Sequence, residues 1–236
     1  MIHPSIWISL LILGAIISVI AYQAYPIFEQ KLLDQGKGQV AIFVDLSKRM
    51  FMEVSVKRAL ILILVSSFTF ASLGFYMTYG LGLVNGLFTL FFGLFGFLLP
   101  TITMKFLWTR RLSAFNEQLI DALNLLSNSL KSGLNLSQAI QVLVREMPNP
   151  ISQEFGVVLS QEKVGLTMDD ALEKLSERVS SEDLSVVIQS ILILRETGGN
   201  LSETFDVIAN TIRERRRVDG KIQSMTAQGK LQGLIL

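Results

Sequence analysis

The octets GLNLSQAI (Gly133–Ile140), GLTMDDAL (Gly165–Leu172) and GGNLSETF (Gly198–Phe205) repeat one pattern at offsets of 32 and 33 residues. Glycine accepts the left-handed backbone that ends a helix, a conformation other residues avoid. Asn135, Thr167 or Asn200 follows, each able to accept a bond from an orphan N–H at the start of the next helix. Gln138, Asp170 or Glu203 stands three residues further on, where it can complete a capping box. Apolar positions then run in steps of four, three and four: Leu136, Ile140, Leu143 and Met147; Met168, Leu172, Leu175 and Val179; Leu201, Phe205, Ile208 and Ile212. Each copy therefore reads as a helix, a tight glycine turn and a capped amphipathic helix.

The helices before the turns carry the same signal, as in Phe115, Leu119, Ala122, Leu126 and Leu130, or Leu184, Val187, Ile191 and Leu194. Six helices are expected, near 112–131, 137–147, 151–163, 168–179, 183–196 and 201–228. A helix pair cannot bury its apolar stripe alone, so the three hairpins are expected to pack as one antiparallel six-helix bundle.

Upstream the composition changes. No charged side chain occurs from Pro4 to Phe28, a length that crosses the ~30 Å hydrocarbon core of a bilayer. Met1, Ile2 and His3 lack the basic character of a signal peptide, so a retained span is expected at 1–28. A second uncharged block lies between Arg58 and Lys105 and is about twice a bilayer in length. It must fold back, with Tyr79-Gly80-Leu81-Gly82 as the reversal, giving spans near 59–78 and 83–104. Tyr76, Tyr79 and Trp108 would lie near the water interfaces.

The loop 29–58 carries Lys31, Lys37, Lys48, Arg49, Lys57 and Arg58, and Lys105, Arg110 and Arg111 follow the hairpin. The positive-inside rule then places the N-terminus outside and both charged regions in the cytoplasm. Val40, Phe43, Met50 and Val54 fall near one helical face, suited either to the membrane surface or to packing on the cytoplasmic domain. Residues 231–236 read as the start of an unfinished transmembrane segment after a domain at 105–230. The expected fold is thus an all-α membrane protein: three transmembrane helices plus a cytoplasmic bundle of three helical hairpins.

Composition narrows the chemistry. The 236 residues are 50% hydrophobic and only 17% charged, with a net charge of +1, which argues against a general nucleic-acid binder. No cysteine is present and His3 is the sole histidine, so thiolate nucleophiles, disulfides, histidine triads and two-histidine metal sites are excluded. The spans hold no ionisable side chain, which removes the usual proton or ion pathway. Carboxylates at Asp169, Asp170, Glu173, Glu177, Glu182 and Asp183 sit mostly in first helical turns, where they complement the helix dipole. No cofactor, metal or catalytic residue is expected.

Two features exceed what architecture requires. The third turn pairs two glycines with charge, and Glu196, Gly198, Gly199, Asn200 and Leu201 are candidate partner-binding residues. Without the lysine and serine of a phosphate loop, they do not read as a nucleotide site. The cluster Arg213, Arg215, Arg216 and Arg217 is a second candidate, suited to an acidic partner surface or anionic lipid, or simply a solvated helix face.

The stretch Arg111-Leu112, Phe115, Gln118 to Leu123, then Gly133 to Leu136 with Gln138-Ala139, resembles the cytoplasmic domain of the TadB family. So do Ser181 to Leu184, Arg195 to Leu201 and Thr211 to Arg216. That family belongs with TadC, GspF and PilC in the type II secretion F-domain superfamily. The resemblance covers about 105–232. It implies a non-enzymatic inner-membrane platform protein of a bacterial Tad (Flp) type IV pilus assembly machine. Expected partners are a TadC-like sister protein, a TadA/CpaF-like cytoplasmic secretion ATPase, pilin subunits and the bilayer, in an oligomeric assembly. TadB proteins usually continue with further C-terminal spans. A membrane-anchored signalling adaptor, whose bundle binds a soluble regulator, is the alternative.

Overall fold

A computed structural model describes residues 38–80 and 82–235, with side chains described up to Thr226 except Gln223. The expected first span at 1–28 lies outside the described residues, as do the side chains of 231–236. Every regular element among the described residues is an α-helix: α1 Gln39–Arg49, α2 Val56–Met77, α3 Leu83–Lys131, α4 Leu136–Glu146, α5 Ile151–Lys163, α6 Met168–Val179, α7 Glu182–Thr197 and α8 Leu201–Ile235. The chain divides between Thr109 and Arg110 into two compact units.

In the first unit, α2 and α3 are long and apolar enough to cross a membrane, with mean hydropathy near 2. Only 11% and 17% of their apolar windows are buried. A core helix of that hydropathy would be covered by protein, whereas here Val65, Leu73, Leu87, Phe91 and Leu94 stand exposed. The chain reverses between them with Gly80 at φ +95 and Gly82 at φ +57, which uses the freedom expected of the glycines.

The two helices meet through small residues. Ser66 Oγ donates to the Gly96 carbonyl at 2.6 Å, and Ser67 Oγ to the Gly93 carbonyl at 2.9 Å. Pro100 explains the first bond. A proline has no N–H, so the carbonyl four residues earlier, that of Gly96, loses its intrahelical donor, and a hydroxyl from the neighbouring helix replaces it. A Cβ on Gly96 would lie 2.7 Å from the Ser66 carbonyl oxygen and 2.9 Å from Ser67 Cα. The backbones approach this closely only because residue 96 has no side chain.

The helix α3 departs from the expected segmentation. Instead of a span ending near 104 and a new helix from 112, one helix runs from Leu83 to Lys131. No glycine or proline occurs after Pro100 within it, and Lys105, Arg110 and Arg111 are good helix formers. The change in charge marks a change of surroundings without breaking the helix. Upstream, α1 packs on α2, with Val40, Phe43 and Val44 against Ala59, Ile63 and Met104, and with Met50 and Val54 at the edge of the same cluster.

The second unit has one apolar core, fed by the end of α3 and by α4 through α8. Phe115, Leu119, Leu143, Phe155, Leu172, Leu175, Leu184 and Phe205 are among its fully buried members. The expected stripes occupy it: Met168, Leu172, Leu175 and Val179 are all buried, while Leu136, Met147, Leu201 and Ile208 pack at its edge.

All three glycine turns form. Gly133, Gly165 and Gly198 adopt φ of +88, +100 and +78. In the first, the N–H groups of Gly133 and Leu134 donate to Leu130 and Ser129; in the second, those of Gly165 and Leu166 donate to Glu162 and Gln161. Asn135 and Gln138 close a full capping box. At the second start the Thr167 hydroxyl accepts from Asp170 N–H and donates to the Asp170 carboxylate, so Asp170 serves the cap without closing a box. At the third, Asn200 Oδ1 accepts from the N–H groups of Ser202 and Glu203.

Candidate interaction surface

The two candidate clusters are separate places on the second unit. The third glycine turn joins the end of α7 to the start of α8, and Arg213 lies twelve residues further along α8, about 18 Å at the helical rise. Within the turn, Glu196, Gly198, Gly199 and Asn200 are exposed, while Leu201 is half-buried against the core. The N–H groups of Gly198 and Gly199 both donate to the Leu194 carbonyl at 2.9 Å. Those two donors are thus spent on ending α7.

The second glycine has its own cause. A Cβ at Gly199 would fall 2.2 Å from Leu194 Cδ2. The first two turns place Leu134 and Leu166 at the corresponding position, so the glycine pair follows from the Leu194 side chain covering this turn. Arg195 reaches from the same helix end to the Asp169 carboxylate, tying α7 to the start of α6.

The arginine cluster divides in two. Arg215 faces Glu182 and Asp183 at 3.9 and 3.8 Å, and Arg216 faces Asp183 at 3.9 Å and donates to the Asn116 carbonyl. They border an open cleft of about 500 Å³ lined by Asn116, Glu117, Ser181, Asp183 and Asp219 among others. Arg213 and Arg217 are exposed and pair only along their own helix, Arg213 with Asn210 and Arg217 with Glu214 at 3.8 Å. The separation follows from helical periodicity: residues 215 and 216 lie over α7, while 213 and 217, four apart, share an outer face.

The carboxylates are distributed likewise. Asp169 meets Arg195, Asp170 meets Thr167, Glu182 and Asp183 meet the arginines, and Glu173 and Glu177 are exposed. Among the described residues no group of three or more His, Asp or Glu is arranged to hold a metal ion.

Several polar residues that organise the unit carry no local signal. Glu154 on α5 is 2% exposed and receives Arg178 Nε at 2.8 Å and Arg111 Nη2 at 3.2 Å, one guanidinium to each carboxylate oxygen. Gln118 donates to the Asn149 carbonyl and accepts from Ile151 N–H, which caps α5 where Pro150 has no side chain to do so. Buried Ser127 donates to the Ser202 carbonyl. Lys131 pairs with Asp206, and donation from Lys131 holds the Asp206 carboxyl below its ordinary value. Ser181 is the one a local rule finds, since it stands three residues before Leu184 and its Oγ accepts the Leu184 N–H.

Residues 122–236, described as "Type II secretion system (T2SS), protein F", match that family. The match supports the type II secretion F-domain superfamily. It covers just under half of the chain and includes all three glycine turns and both candidate clusters. An uncharacterised protein of Methanocaldococcus jannaschii is 23% identical over 131 residues, spanning 55% of this chain and 44% of the relative. No solved structure matches the chain. The matched region is preceded by two helices long and apolar enough to cross a membrane.

Proposed function

We propose that the chain is a TadB-type platform protein of a Tad (Flp) pilus assembly machine in the bacterial inner membrane. It links a cytoplasmic secretion ATPase to the polymerisation of pilin subunits and acts beside a TadC-like sister protein. The observation that carries this reading is the F-domain match at 122–236 on a chain whose preceding unit has two apolar, exposed helices. The role is mechanical and non-enzymatic: Asp169, Asp170, Glu182 and Asp183 are engaged in a helix cap and in ion pairs, while Arg213, Arg217 and the third turn offer charge and exposed backbone to a protein partner. The orientation that fits the basic flanks has the F domain in the cytoplasm.

Photo-crosslinking residues at Asn200 and Arg217 test this in cells. Both are exposed, about 25 Å apart along α8 by helical rise. Capture of a secretion ATPase or of a second F-domain protein is the expected result. Capture of only a soluble regulator, with pilus assembly intact after gene deletion, would replace the platform reading by that of a membrane-anchored adaptor.

A further inference from the structure

We propose that α1 and the turn after it are an interfacial membrane-binding element, in which Phe51 and Met52 enter the acyl boundary and the basic residues around them contact phosphate groups of the bilayer's own anionic lipids. The inference rests on α2 and α3 crossing a bilayer.

Depth is the first argument. The uncharged part of α2, residues 59–77, measures about 29 Å, close to the thickness of a hydrocarbon core, so Ala59 lies near one boundary of the bilayer, just past Lys57 and Arg58. The α2 residues that α1 covers are Ala59 and Ile63, the first at that boundary and the second four positions, or about 6 Å, below it. An amphipathic helix in the plane of the membrane sits at this depth. Met104 of α3 completes the same cluster. The apolar face of α1 is therefore seated at the foot of the hairpin, at the level where headgroups give way to acyl chains.

The turn supplies the second argument. Phe51 takes φ +59, the left-handed conformation in which three other helix ends of this chain place Gly133, Gly165 and Gly198 and a fourth places the small Ser180. Met52 N–H donates to the Ser47 carbonyl and Phe51 N–H to the Lys48 carbonyl, the bond pattern of the first two glycine turns. Here an aromatic residue occupies the position that glycine fills without strain, and Phe51 and Met52 are each 38% exposed. Strain retained at a bulky aromatic residue directs attention to what its side chain does. A large apolar pair at the bilayer boundary, beside the point where α2 enters, is suited to lipid.

Charge is the third. Lys48, Lys57, Arg58 and Lys105 surround this foot and are exposed, against Asp45 and Glu53. An excess of cations next to the headgroup layer favours anionic lipid over zwitterionic lipid.

The chain has no cysteine, so single-cysteine spin labels can be placed without background. Full-length Met52→Cys, Leu73→Cys and Val186→Cys proteins in phosphatidylethanolamine/phosphatidylglycerol nanodiscs are compared by collision with oxygen and with a water-soluble nickel chelate. The label at 73, on the lipid-facing side of α2, and the label at 186, on the F domain, set the two extremes. The expected result is loss of chelate access at 52, with oxygen access approaching that at 73. Chelate access at 52 equal to that at 186, with 73 shielded, overturns the proposal and leaves the spanning hairpin intact. Chelate access at 73 overturns the hairpin itself, and the proposal with it. Repeating the measurement in phosphatidylcholine nanodiscs should restore part of the chelate access at 52, and an unchanged value would refute the anionic-lipid contact.

Discussion

Glu154 offers the most demanding test of the second unit's interior. Its carboxylate is 2% exposed and holds two guanidinium groups, from Arg178 on α6 and Arg111 on α3, whose own side chains are 20% and 18% exposed. Glu154→Gln preserves shape but removes the charge, and it sets an amide N–H group against the Arg178 and Arg111 donors. Breaking a buried ion pair by removing one partner destabilises by about 3–5 kcal/mol, because the charge left behind stays desolvated. At ~1.4 kcal/mol per tenfold, amides of α5 and α6 should exchange hydrogen about 100-fold faster or more in the full-length protein. The triple change Arg111→Met, Glu154→Leu and Arg178→Met should recover much of that loss, since an apolar replacement of a whole buried network is often neutral. An acceleration below about tenfold in Glu154→Gln would refute the argument, for it would mean that water already screens the site.

Three further outcomes follow from other contacts. Ser66→Ala should weaken the α2–α3 hairpin by about 1–3 kcal/mol, by leaving the Gly96 carbonyl without a donor, and the effect should shrink in a Pro100→Ala background, where residue 100 regains its N–H; denaturation in mixed micelles measures both. Gly198→Ala forces alanine to φ +78 and should cost more than the ~1 kcal/mol of an ordinary helix-interior glycine, whereas Gly199→Ala meets only the flexible end of Leu194 and should be relieved by Leu194→Ala, as hydrogen exchange at the start of α8 would report. Asp206, its carboxyl held down by donation from Lys131, contributes stability that is fully present above the ordinary carboxylate value of 3.8 and is lost as pH falls through its lower folded value; Asp206→Asn should remove that acid-side slope.

What could be read from the sequence was local chemistry. Gly133, Gly165 and Gly198 lie where the repeat places them, because a left-handed helix end and a side-chain cap are decided within a few residues. The apolar steps from Met168 to Val179 were readable for the same reason. Glu154 was not, since its partners are 43 and 24 residues away and only packing joins them. The continuity of α3 was hidden by Lys105, Arg110 and Arg111, which signal a new environment but do not interrupt a helix. The arginine cluster read as a single patch, and the neighbouring α7 divides it: Glu182 and Asp183 engage Arg215 and Arg216, leaving Arg213 and Arg217 outward. The glycine pair at 198–199 read as exposed backbone beside charge, and the bonds of both N–H groups to the Leu194 carbonyl were not legible from the spacing.

The serine that answers Pro100 bears on biogenesis. A carbonyl without a donor is tolerated in water but costs several kcal/mol in hydrocarbon. An isolated α3 would therefore enter the bilayer with the Gly96 oxygen bare, while α2, emerging first from the ribosome, already carries the Ser66 hydroxyl that satisfies it. The two helices are thus suited to partition into lipid as a pair, with the order of translation delivering the donor before the acceptor. A chain lacking this hydroxyl would meet its difficulty during insertion, before any question of its working role arises.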